Sequence, residues 1–147
     1  MEDWKRRARD RLRDYPLQRA ALANLPDEIA RLESEATSIR SASSDSTPVQ
    51  GGGSTREDRL LSNITARTEL AEALRRAGLY VAMVDRALEA LDEPERRVLD
   101  VMYMHRTKGY IDRLMDELDL TEAKSVYRVA DKCLYKFTLA LYGVTES

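Results

Sequence analysis

Between Leu91 and Gly143 the chain is punctuated so tightly that few folds remain open to it. Asp92 and Glu95 form a capping pair around Pro94, which predicts a helix carrying Val98, Leu99, Met102 and Tyr103. Thr107-Lys108-Gly109 ends it, and a second short helix is expected to hold Ile111, Leu114, Met115 and Leu118. After the tight polar turn Asp119-Leu120-Thr121, Thr121 is the expected cap of a third helix that stops at Gly143. Three short amphipathic helices, the last two joined by a tight turn, form the layout of a helix-turn-helix DNA reader.

The third helix carries the chemistry. With about 100° per residue, Val126, Val129, Ala130, Cys133, Leu134 and Phe137 share one face. Lys124, Ser125, Arg128, Lys132 and Tyr135 occupy the opposite side, with Lys136 flanking, and these six are the candidate DNA-binding residues. A guanidinium can bridge the acceptors of guanine, ammonium groups suit phosphates, and hydroxyls suit either. Asp131 and Glu122 oppose this field locally. Solvated helix faces also carry lysine and arginine. Here the preceding turn, the short helix before it and the basic character of the face favour double-stranded DNA as the partner.

Composition sets the remaining bounds. The 147 residues carry a net charge of −2, so attraction to phosphate has to come from a local basic face. Dominance of Ala, Leu, Arg and Glu predicts an all-α fold. Cys133 and His105 are each the only residue of their type, so no metal site, cofactor site or nucleophile–base pair is expected, and the chain reads as a non-enzyme. Gly51-Gly52-Gly53-Ser54-Thr55 lacks the Gly-Lys-Ser/Thr ending and preceding strand of a phosphate loop. With no long apolar run and no basic-then-apolar leader, neither membrane span nor secretory signal is expected, and the expected location is cytoplasmic.

Residues 1–91 read as a long helical hairpin, and 92–143 as the DNA-binding domain. Ala8, Tyr15, Leu22, Ile29 and Ala36 form one row at coiled-coil spacing, and Trp4, Leu25, Leu32 and Ile39 an adjoining one. Pro16 predicts a break or kink near Tyr15, and Pro26 a kink or a fresh helix start near Leu25. Residues 42–55 have almost no apolar content and read as a flexible linker. Ser54 with Glu57, or Thr55 with Asp58, would cap a second helix. Its expected stripe is Leu60, Ile64, Ala71, Leu74, Val81, Val84, Leu88 and Leu91. So long a stripe predicts a homo-oligomer. Gly78 weakens that helix by about 1 kcal/mol unless it permits a close crossing. The cluster Lys5, Arg6, Arg7, Arg9, Arg11 and Arg13, beside Trp4, Leu12 and Tyr15, reads as a solvated face, with a phosphate contact or a membrane-surface helix as alternatives.

Residues 91–143 resemble the helix-turn-helix of region 4 of sigma-70-type factors, and the entire chain resembles the RinA/ArpU-type phage transcriptional regulators. The wider resemblance rests on Ala36-Thr37-Ser38-Ile39-Arg40-Ser41, Pro48-Val49-Gln50-Gly51-Gly52, Glu57-Asp58-Arg59-Leu60-Leu61, Ala87-Leu88-Glu89-Ala90-Leu91 and Leu139-Ala140-Leu141-Tyr142-Gly143. It implies a phage- or prophage-encoded activator of late operons, such as those for packaging and lysis, working in a bacterial host. An alternative is an interaction module that docks on RNA polymerase or another phage protein without reading DNA. Met115 stands where the first helix of such a pair usually has a small residue, and Asp119 where the turn usually has glycine.

Overall fold

The computed structural model describes residues 3–45 and 52–143, and among these every regular element is helical. Helix α1 runs Asp3–Asp45, α2 Gly52–Glu89, α3 Glu93–Leu99, α4 Tyr110–Glu117 and α5 Ala123–Tyr142. A π-helical turn, Asp100–Met104, prolongs α3. The all-α expectation holds, and no helix is long and apolar enough to cross a membrane among the described residues.

Neither proline breaks α1: there is no break at Pro16 and no fresh helix start at Pro26. Each proline costs its helix about 3 kcal/mol. Buried Leu12 and Tyr15 before Pro16, and Leu32, Ala36 and Ile39 beyond Pro26, hold the turns on either side. The linker is also shorter than expected, because residues 42–45 and 52–55 belong to helices. Extending an existing helix adds one bond for each residue fixed, which suits even weak helix formers. Ser54 and Thr55 therefore lie inside α2 and are not its caps. Residues 46–51, where the rest of that linker falls, lie outside the described residues.

The chain divides into two compact units, one made of residues up to Gln18 together with those from Leu79 onward, the other of Arg19–Gly78. The boundary expected at residue 91 falls inside the first.

In the Arg19–Gly78 unit, α1 and α2 run antiparallel, as the facing pairs Leu22/Gly78 and Leu32/Asn63 establish. Asn63, only 3% exposed, donates from Nδ2 to the Leu32 carbonyl at 2.8 Å and accepts from Arg67 Nε at 2.8 Å. This satisfied amide sets the phase of α2. The inward row passes through Leu60, Asn63, Leu70, Leu74 and Ala77, whereas Ile64, placed in the stripe by its apolar character, is 44% exposed, and Ala71 is exposed too. An apolar-only reading passes over an asparagine whose polar atoms find partners inside.

In the other unit, Ala8, Leu12 and Tyr15 of α1 are buried, as are Val81, Val84, Ala87 and Leu91 of α2. Leu12, read with the basic cluster, is a core residue at 0% exposure. The Tyr15 hydroxyl donates to Asp85, and the Tyr80 hydroxyl to the Arg11 carbonyl at 2.7 Å. At the end of α2, Arg96 donates to the carbonyls of Leu88 and Leu91, the first of which also accepts from the Leu91 N–H at 3.0 Å. α5 packs on both α3 and α4.

Candidate nucleic-acid interface

The platform for α5 begins with the predicted capping box. Asp92 accepts from the Glu95 N–H at 2.9 Å, and Glu95 accepts from the Asp92 N–H at 2.9 Å. Arg97 of α3 reaches Glu117 of α4 at 2.9 Å, which ties the two supporting helices together. The α3 extension closes with the His105 N–H on the Asp100 carbonyl at 2.8 Å, the wide spacing of a π turn. Gly109, left-handed at φ 79°, then redirects the chain into α4.

α4 ends in a Schellman motif. The Leu120 N–H reaches back to the Met115 carbonyl at 2.8 Å and the Asp119 N–H to the Asp116 carbonyl at 3.3 Å, with Asp119 left-handed at φ 56°. Aspartate thus performs the turn that glycine usually makes, since its short polar side chain tolerates this region better than most. The cap of α5 is Glu122, extended at φ −129°, ψ 138°, without a side-chain capping bond; Thr121 lies one residue too early. Gly143, left-handed at φ 80°, stops α5 as expected.

Within α5, Val126, Ala130, Cys133, Leu134 and Phe137 are buried and Val129 is half-buried, so the inner face matches its predicted phase. Burial above all, then Glu95 and Asp92, pushes the Cys133 thiol up to about 11, which leaves it an inert core group.

The six candidates do not share one environment. Lys124, Arg128 and Lys132 are exposed along the first three turns, and Ser125 is half-buried beside them. Lys124 reaches only Glu122, at 3.7 Å, while Arg128 and Lys132 make no ion pair or side-chain hydrogen bond among the described residues. Farther along, Tyr135 meets Trp4 edge-on at a centroid distance of 5.8 Å, and Lys136 pairs with Glu95 at 3.0 Å. Lys5 pairs with Asp131 at 3.2 Å. The open basic surface is therefore the N-terminal half of α5, whereas α1 and α3 occupy side chains of its second half.

Three neighbouring residues escaped the sequence reading. Tyr127, on the flank of α5 that faces α4, is close enough to Tyr110 for that hydroxyl to raise its pKa above the ordinary tyrosine value. Arg106 lies over the Tyr110 ring at 4.4 Å. Helical phase put Tyr127 between the two faces, and nothing in the sequence pairs residues across the 107–109 break.

Among the described residues, no group of three His, Cys, Asp or Glu side chains is placed to hold a metal ion. No family model matches the chain, and no curated protein or solved structure matches it.

Proposed function

We propose that this chain is a sequence-specific transcriptional regulator that reads duplex DNA with α5, its α4–turn–α5 pair serving as a helix-turn-helix. The observation that carries this reading is the exposure of Lys124, Arg128 and Lys132 on the first turns of a helix whose other face is buried. Readers of this kind contact base edges with the N-terminal residues of the second helix. Arg128 is the base-reading candidate, and Lys124 and Lys132 suit phosphates. Tyr135 and Lys136, held by Trp4 and Glu95, are assigned to positioning α5.

The motif order quoted for the RinA/ArpU resemblance supports the finer reading: a phage or prophage protein that activates late genes in the bacterial cytoplasm as a homo-oligomer. The test is selection of bound fragments from the source genome, followed by titration of a labelled late-promoter duplex. Specific binding by the protein alone supports the reading. Binding only when RNA polymerase is present would replace it with the polymerase-docking module.

A further inference from the structure

Lys5, Arg9 and Arg13 lie on one face of α1 at intervals of four residues. The Lys5–Asp131 ion pair and the Trp4–Tyr135 contact bring the start of this face against the outer half of α5. At its far end, Arg13 lines a cavity of about 300 Å³ together with Met102, Tyr103, Met104 and Arg106. Arg9 lies between these two points. Burial pushes the pKa of Tyr103 up and Asp131 adds to it, while Arg9 and Arg106 pull it down, so both guanidinium groups act on this one phenol.

Charge pairing sets two of these arginines apart. Arg6 and Arg7 pair with Asp3 at 2.7 and 3.7 Å, and Arg13 with Asp10 at 3.0 Å. Arg9 and Arg106 have no carboxylate in ion-pair range among the described residues. Arg106 is nevertheless held in place, donating from Nε to the Met102 carbonyl at 2.8 Å and stacking on Tyr110.

We propose that Arg9 and Arg106, with Arg13 at the rim, form a second phosphate-binding site outside α5, which takes the backbone of the duplex flanking the sequence that α5 reads. The inference rests on the DNA-binding reading above. A planar guanidinium fork fits phosphate oxygens in pairs, and the buried Tyr103 and Met102 form a low-dielectric wall that strengthens such contacts. Residues four apart on a helix are separated by about 6 Å along its axis. Phosphates of one DNA strand recur about every 3.4 Å along the duplex axis, so the long side chains of Arg9 and Arg13 can reach phosphates of a single strand.

The experiment measures affinity against salt for the full chain and for Arg9→Ala, Arg9→Lys and Arg9→Ala/Arg106→Gln. Two labelled duplexes of random sequence are used, one several helical turns long and one trimmed to a single turn. Arg9→Ala keeps the folded-state test independent of Arg106, and glutamine at 106 retains a donor for the Met102 carbonyl. On the long duplex, the slope of log affinity against log salt is expected to become shallower by about 0.9 in Arg9→Ala and about 1.8 in the double variant. Arg9→Lys should keep the wild-type slope, and the differences should shrink on the trimmed duplex. Wild-type slopes in both alanine-bearing variants overturn this inference while leaving α5 as a reader. Displacement of the long duplex by poly-glutamate at equal charge overturns it in favour of a site for acidic protein. No duplex binding by the wild-type chain at low salt overturns the DNA reading itself, and this site falls with it.

Discussion

The Oε1 atom of Glu95 holds Lys136 Nζ at 3.0 Å and the backbone N–H of Asp92 at 2.9 Å. One oxygen thus joins the outer flank of α5 to the first turn of α3. Lys136, half-exposed, is expected to matter for orientation more than for charge. Lys136→Ala should cost less than about 1 kcal/mol of stability, the range of exposed ion pairs. Urea denaturation measures that cost. The salt slope of DNA binding should stay at the wild-type value, whereas Lys132→Ala should make it shallower by about 0.9.

The same carboxylate makes stability depend on pH. The Asp92 backbone N–H above all, and then Lys136, hold the Glu95 pKa below the ordinary glutamate value. A carboxylate depressed in the folded state stabilises fully above its unfolded pKa, about 4.3, and that contribution is lost as pH falls through the lower folded value. Glu95→Gln should therefore be less stable than wild type at neutral pH. The gap should narrow below about pH 4.3, as read from urea midpoints across an acid series.

For the reader itself, Arg128→Ala is expected to weaken specific binding by about 1 to 3 kcal/mol and relax the sequence preference. Lys132→Ala should weaken all sequences alike. Titration at fixed salt against specific and scrambled duplexes distinguishes the two. Equal, wild-type affinities in both variants would remove α5 from the interface.

Gly78 offers a gain in stability. A Cβ built there would sit 3.7 Å from Leu22 Cδ1, an ordinary contact, so no close crossing demands glycine. Gly78→Ala should stabilise the protein by about 0.5 to 1 kcal/mol, with an upward shift of the denaturation midpoint.

Leu61 and Ile64 are 62% and 44% exposed, three residues apart on α2. A second copy of the chain, which could bring the same apolar pair, is the expected partner. Sedimentation should show a dimer at micromolar concentration, and Leu61→Glu/Ile64→Glu should be monomeric. A wild-type monomer, free and on DNA, would exclude this assembly.

Local chemistry explains how much was legible beforehand. Asp92, Pro94, Glu95, Gly109 and Gly143 act within a turn of their own positions, so their meaning could be read directly. The α5 core face likewise follows from its 3.6-residue period. Asn63 was not legible, because its inward place depends on the Leu32 carbonyl, 31 residues away. Pro16 and Pro26 do not end α1 for a related reason: packing overrides the loss of a single backbone bond. Tyr135 and Lys136 had the right phase for the outer face, but no periodicity announces that Trp4 and Glu95 will engage them. Asp119 shows that a left-handed turn can be held by a residue that does not advertise it.

The contact between Lys5 and Asp131 spans 126 positions of sequence, with a consequence for the order in which the molecule is made. As synthesis proceeds from the N-terminus, α1 emerges long before the helix its first turns will meet. Trp4 and Lys5 wait without their partners until Tyr135 and Asp131 of α5 have left the ribosome. Completion of the surface around α5 is therefore a late, long-range event in folding, delayed by the entropy of closing so large a loop. A chain interrupted before α5 would leave Trp4 and Lys5 without Tyr135 and Asp131, the side chains they meet in the finished fold.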